Sequence, residues 1–581
     1  MRLMMYLTKP LVLLGLFFSV SVTATPLPAA KQQAIYSSMS IHHPVWAKNA
    51  MVATQEALAT QIGVDILQQG GNAVDAAVAV GYALAVTLPR AGNLGGGGFM
   101  LVYLNKQQKA IAIDYREKAP SAASRDMYLD KQGNTQTQLS RFHGLAVGVP
   151  GTVMGLELAR KKYGTLSREQ LIAPALKLAS EGIIVSPDLA KSLNKAQPRL
   201  SKWSASKQVF YKADGKSYQV GERLKQLDLA NSLRLISEQG ENAFYQGTIA
   251  KQISDSVLQA GGLITLEDMK NYHAVERQAI QGNYRDYQVL SMPPPSSGGI
   301  HIVQLLNMLE NYPLSDYGHN SAQSIHIMSE AMRRAYADRA LYLGDSDFVD
   351  VPIETLTSKA YALQRSKQID PKKATPSSEV NAGKVAPYES NETTHFSIVD
   401  RWGNAVSNTY TLNFSYGMGM VANGTGILLN NEMDDFSAKP GEPNGYGLIG
   451  GEANAVAANK RPLSSMSPTI LLKDNQPYLV TGTPGGSRII TTTLQIILNV
   501  VDHQMNIAQA TAAPRIHHQW LPDYIRYEQG ISVDTLNLLK AKGHVMKQQA
   551  TMGSTQTIMR NEYGVFGASD PRTPSALSLG Y

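Results

Sequence analysis

Apolar and polar positions divide the chain into a helix-rich first part and a strand-led second part. From Thr54 the apolar residues Ala57, Ile62, Ile66 and Leu67 recur at helical spacing on one face, and Gly70-Gly71-Asn72 ends the run. Ala73 to Leu88 is Ala-rich and nearly all apolar, which predicts a helix buried all round, closed by Pro89. Gly92 to Gly98 then leads into two predicted strands, Phe99–Leu104 and Ala110–Tyr115. That glycine-rich loop follows a helix and has no Lys-Ser/Thr behind it, so it reads as close backbone packing and not as a phosphate cradle. Residues 150–345 are mostly helical patterns with short loops, Ser321 to Leu343 among them. Ser366 to Glu392 is polar, with hardly any large apolar side chain, and is expected to be a mobile linker. A β pattern starts abruptly behind it: Thr393–Val399, a turn at Asp400-Arg401-Trp402-Gly403, and Asn404–Leu412 predict a hairpin. Further strands are expected at Ile427–Leu429, Thr469–Leu472 and Tyr478–Thr481. Helices are expected at Thr491–Asp502, Ile507–Ala512 and Val533–Ala541.

Composition narrows the class. The 581 residues are 43% hydrophobic and 17% charged, which fits a packed globular protein and excludes wholesale disorder. With no cysteine there is no disulfide, no thiolate metal site and no Cys nucleophile. Residues 1–24 read as a signal peptide: Arg2 and Lys9 lead an apolar run, Leu11 to Val22, too short to span a bilayer, followed by Val22-Thr23-Ala24 as a cleavage site. The expected location is outside the cytoplasm, in the periplasm if the source is Gram-negative and secreted otherwise. Removing Arg2 and Lys9 takes the net charge from +7 to 7 − 2 = +5. The basic residues form no stripe with interleaved aromatics, so no nucleic-acid partner is expected, and no later stretch has the apolar length of a membrane span. The pairs His42-His43 and His517-His518, and the lone His395, have no zinc-like spacing, so neither metal nor cofactor is expected.

A polar linker joined directly to a strand that begins with Thr is what a processed chain with a new N-terminal threonine would look like. A threonine hydroxyl needs a base, and an N-terminal threonine carries one in its α-amino group, which ordinarily titrates at about 7.7–8.0. A nucleophilic Thr393 therefore requires that the Glu392–Thr393 bond be cut first. An intramolecular route is open: Thr393 Oγ attacks the Glu392 carbonyl, an N→O acyl shift gives an ester, and water hydrolyses it.

Thr393-Thr394-His395-Phe396-Ser397 with Asp400-x-x-Gly403-Asn404-Ala405-Val406 resembles the self-cleavage region of the γ-glutamyltranspeptidases, a branch of the N-terminal-nucleophile hydrolases. Leu428 to Ser437, Arg461 to Pro468, Gly482 to Arg488, Asn93 to Met100, Asp114 to Glu117 and Gly567 to Arg572 resemble further motifs of that family, in the same order, over essentially the whole mature chain. The resemblance implies a four-layer αββα sandwich built jointly by a large subunit, residues 25–392 with 366–392 as its linker, and a small subunit, residues 393–581. It implies γ-glutamyl transfer from glutathione and related amides to water, amino acids or dipeptides, by a heterodimer of the two subunits. By the same resemblance Thr393 is the nucleophile and Thr411 its hydrogen-bonding helper. Gly485 and Gly486 form the oxyanion hole. Arg116, Ser464 and Ser465 bind the substrate α-carboxylate, and Asn413, Glu432 and Asp435 its ammonium. Tyr446 is the gating aromatic of a lid, Pro440 to Gly451. Two rivals remain at this point: a related acylase for glutaryl-type β-lactam side chains, which has no need of an ammonium site, and a non-catalytic exported binding protein.

Overall fold

The computed structural model describes residues 40–380, 393–445 and 447–581. The expected signal peptide, the bond after Glu392 and the lid residue Tyr446 lie outside these. Two seven-stranded sheets form the centre. One runs, in spatial order, Leu577–Gly580, Met51–Thr54, Thr394–Val399, Ala405–Thr411, Gly97–Leu104, Lys109–Tyr115 and Val275–Arg277. The other runs Val45–Ala47, Gly564–Ser569, Gln556–Asn561, Gln476–Thr481, Thr469–Lys473, Tyr287–Ser291 and Ile280–Tyr284. All pairings in both are antiparallel. Helices cover each outer face, giving the four-layer αββα sandwich. One apolar core lies under Ala57–Gln68 and Ala73–Thr87, another under Gly298–Leu309, Ala322–Tyr342 and Arg488–Val501, and a third fills the space between the sheets. Both sheets combine strands from before and after residue 393.

The two leading helices form where the pattern places them, each for a visible local reason. Glu56 caps Ala57–Gln68 by accepting from Leu58 and Ala59 N–H, and Asn72 closes a capping box with Asp75 at the start of Ala73–Thr87. The hairpin Thr394–Val399/Ala405–Thr411 also forms as expected. Its strands are buried on both faces because helices cover one side and the second sheet the other. Phe396 and Ile398 face the helices, while His395 and Ser397 face the other sheet. Across that seam hydrogen bonds replace much of the apolar packing: Ser397 Oγ donates to Gln556 O (2.8 Å) and Ser407 Oγ to Thr481 O (3.0 Å).

Two segments differ from expectation. Ile427–Leu429 makes only single bridges, to Val421 and Gly95, because Gly424 and Gly426 at φ 73° and 68° turn the chain before a ladder can extend. Residues 367–380, expected to be mobile, are docked. Ile369 and Val380 are buried, Ser377 Oγ donates to Trp520 O (2.6 Å), and Trp520 Nε1–H is shared between Ser377 O and Val380 O. The segment is polar because its anchors are hydrogen bonds, which composition does not distinguish from solvation.

Candidate active site

Antiparallel register brings the chemistry to one end of the first sheet. Thr393 immediately precedes its strand, Thr411 ends the neighbouring one opposite Gly97, and Arg116 follows Tyr115, the partner of Gly98. The strand ends approach closely because glycines line the contact: a Cβ on Gly96 would lie 2.0 Å from Thr411 O. The second sheet supplies the opposing wall, with Ser464 and Ser465 before Thr469–Lys473 and Gly485-Gly486 after Gln476–Thr481.

Between these walls lies a cavity lined by Thr393, Thr411, Arg116, Asn413, Glu432, Asp435, Ser464, Ser465 and Gly486. Nine of the expected site residues thus meet in one place, and Gly485 adjoins it. Leu448, from the expected lid loop, also lines it, and Gly445 N–H donates to Asp434 Oδ2 (2.8 Å). Thr393 Oγ1 donates to Thr411 Oγ1 at 3.3 Å, and Asn413 N–H donates to the same Thr411 oxygen at 2.9 Å. Asn413 holds φ 72° and is fixed by its amide donating to Asn431 O. Gly485 and Gly486, at φ 139° and 57°, sit just before the helix Arg488–Val501. Their N–H groups donate to no described residue, and Gly486 lines the cavity.

Arg116 is fully buried and ion-paired with both Glu432 and Asp435, while its Nε–H donates to Pro462 O (3.2 Å). Cation and anions in contact match the ligand the sequence motifs imply, because an amino acid carries its carboxylate and ammonium on one carbon. Burial opposes the charge of Arg116, but Glu432, Asp435 and Glu117 outweigh it and hold the pKa above its ordinary value. Burial pushes the carboxyls of Glu117 and Glu432 up. Neither Glu117 oxygen nor Glu432 Oε2 accepts from a donor among the described residues.

Sequence reasoning missed Arg339, buried on the helix Ala322–Tyr342 and lining the cavity, and the apolar lining of Leu463, Met466 and Ile489. Nothing in the periodicity of that helix marks Arg339, since nearly all its side chains are buried. Histidine spacing also hid a buried cluster: His326, Glu330 and His544 bring ligand-type atoms within 4.8 Å of one another. Those atoms are already engaged. His326 Nδ1 and His544 Nε2 share a hydrogen bond (2.7 Å), and Glu330 pairs with Arg333 and Arg334.

A cysteine-free αββα sandwich with a threonine at the head of a central strand defines the class: an N-terminal-nucleophile hydrolase fold. A γ-glutamyltranspeptidase family model matches residues 59–579, so the chain belongs to the γ-glutamyltranspeptidase family and is an enzyme of γ-glutamyl transfer and hydrolysis. It is 57% identical over 561 residues to a glutathione hydrolase proenzyme of Escherichia coli K12, covering 96% of each chain. Among solved structures, a cephalosporin acylase from Bacillus halodurans aligns with TM-score 0.81 at 28% identity, over 96% of this chain and 99% of that one. The γ-glutamyltranspeptidase of Helicobacter pylori aligns with TM-score 0.55 at 46% identity, over 62% of this chain and 97% of that one. No helix among the described residues is long and apolar enough to cross a membrane.

Proposed function

We propose that the chain is exported, cuts itself between Glu392 and Thr393 into subunits 25–392 and 393–581, and then hydrolyses glutathione and other γ-glutamyl amides or transfers their acyl group to amino acids and dipeptides. The carrying observation is the meeting of Thr393, its helper Thr411, the Arg116 ion cluster and Gly486 in one cavity. The α-amino group freed at Thr393 takes the proton of its own Oγ as that oxygen attacks the γ-carbonyl carbon. Gly485 and Gly486 N–H groups hold the oxyanion. The tetrahedral adduct collapses to the γ-glutamyl-Thr393 ester, and the departing amine takes the proton back. Water or an acceptor amine then attacks the ester. Arg116, Ser464 and Ser465 hold the α-carboxylate; Asn413, Glu432 and Asp435 hold the ammonium. Tyr446, on the loop that carries Leu448, closes over the acyl-enzyme and limits water.

The acylase alternative has no use for an ammonium site such as Glu432 and Asp435 would form beside Arg116. A denaturing gel with N-terminal sequencing, alongside amine release from a γ-glutamyl anilide, tests the reading. A fragment beginning Thr-Thr-His-Phe together with turnover is the expected result. An uncut chain without turnover overturns it.

A further inference from the structure

Arg339 is the second arginine of the cavity, and its surroundings give it a defined task. It is 4% exposed and forms no ion pair among the described residues. Burial lowers its pKa to about 10, which still leaves it a cation at neutral pH. Its Nε–H donates to Ser297 Oγ (3.0 Å) and an Nη–H to Ser465 Oγ (3.2 Å). A guanidinium only donates, so Ser465 Oγ is the acceptor in that bond and its own O–H must point elsewhere. Ser464 is constrained in the same way: its Oγ accepts from Met466 N–H (3.1 Å). Neither serine hydroxyl donates to a described residue, and both line the cavity. Ser297 ties the two together, donating through its own Oγ–H to Ser464 O (2.8 Å).

Arg339 also places a second buried cation in the cavity, while the ion pairs of Glu432 and Asp435 are made with Arg116.

We propose that Arg339 is a positioning residue for the substrate α-carboxylate, fixing the Ser465 hydroxyl as a donor into the cavity and supplying a second buried positive charge behind it. This rests on the assignment of Arg116, Ser464 and Ser465 to that carboxylate.

The test compares two chromogenic probes, a γ-glutamyl p-nitroanilide with a free α-carboxylate and the same compound with an α-carboxamide. Wild-type enzyme should prefer the acid strongly. Arg339→Lys should lower kcat/KM for the acid about 10- to 100-fold, chiefly through KM, and for the amide less than about threefold. Adding Ser465→Ala to Arg339→Lys should cost little more, because both act through one hydroxyl. Ser297→Ala, which removes the anchor of Arg339 Nε without touching the arginine, should give the same carboxylate-selective loss at smaller size, and it serves if the lysine variant does not fold. Equal losses on both probes, with wild type still preferring the acid, overturn the role of Arg339 alone. A wild-type enzyme indifferent to the two probes overturns the carboxylate assignment itself.

Discussion

Replacing His395 by glutamine should reduce the sensitivity of the fold to acid. His395 lies two residues beyond Thr393 with no exposed surface; Nδ1 is 2.8 Å from Thr409 Oγ1 and Nε2 is 3.1 Å from Ser397 Oγ. The ring sits so tightly on the second sheet that a Cβ at Gly482 would lie 2.4 Å from it. Burial drives its pKa from 6.5 to about 3. The folded value lies below the unfolded one, so between those limits the unfolded chain binds the extra proton and stability falls as pH falls. The contribution is complete above pH 6.5. At about pH 4.5, two units lower, the loss from this one ring is about 2 × 1.36, or about 2.7 kcal/mol. That figure is set by the unfolded value as long as the folded pKa stays below the measuring pH. Urea midpoints of wild type and His395→Gln at about pH 7.5 and about pH 4.5 give the comparison. The fixed cost of losing the ring cancels in the pH difference, as do the other buried histidines, His301, His326, His517, His518 and His544, present in both proteins. Wild type should lose about 2.7 kcal/mol more than the variant. Equal losses would refute the argument.

Thr393→Ala should remain a single uncut chain without turnover, read on a denaturing gel and by anilide release. Asp435→Asn removes a charged partner of Arg116 and should lower kcat/KM about 10- to 100-fold. Glu432→Gln, at a carboxyl whose pKa burial raises, should cost less than about fivefold at neutral pH; the reverse ranking in steady-state kinetics would contradict that direction of shift. Gly96→Ala drives a methyl into Thr411 O, a strain of about 1–3 kcal/mol beside Thr393, and should slow self-cleavage in a gel time course.

Legibility of the sequence followed the reach of each interaction. The helix of Ala73 to Leu88 and the hairpin behind Thr393 are written in neighbouring residues, by caps, period and turn glycine, and both formed within a residue or two. The cavity residues could be named from motifs, yet their arrangement could not. The direct pairing of Arg116 with Glu432 and Asp435 spans more than 300 positions of chain. Arg339 escaped because a fully buried helix carries no amphipathic contrast to single it out. The anchoring of Ser377 by Trp520 escaped because a polar residue satisfied by protein has the same letter as one satisfied by water.

The hydrogen-bonded seam between the sheets acts as a registration device. Thr393 belongs to one sheet, while Gly485-Gly486 continue a strand of the other. The gap from Thr393 Oγ to Gly485 and Gly486, the donors in the proposed reaction, is therefore a distance between two separate plates. Apolar side chains resist pulling such plates apart but tolerate small lateral slip, whereas directional bonds such as Ser397 to Gln556 O and Ser407 to Thr481 O fix the lateral setting as well. If the proposed reaction holds, its tolerance is set by hydroxyls that never meet the substrate, and the seam is where an engineer would retune the enzyme without altering its pocket.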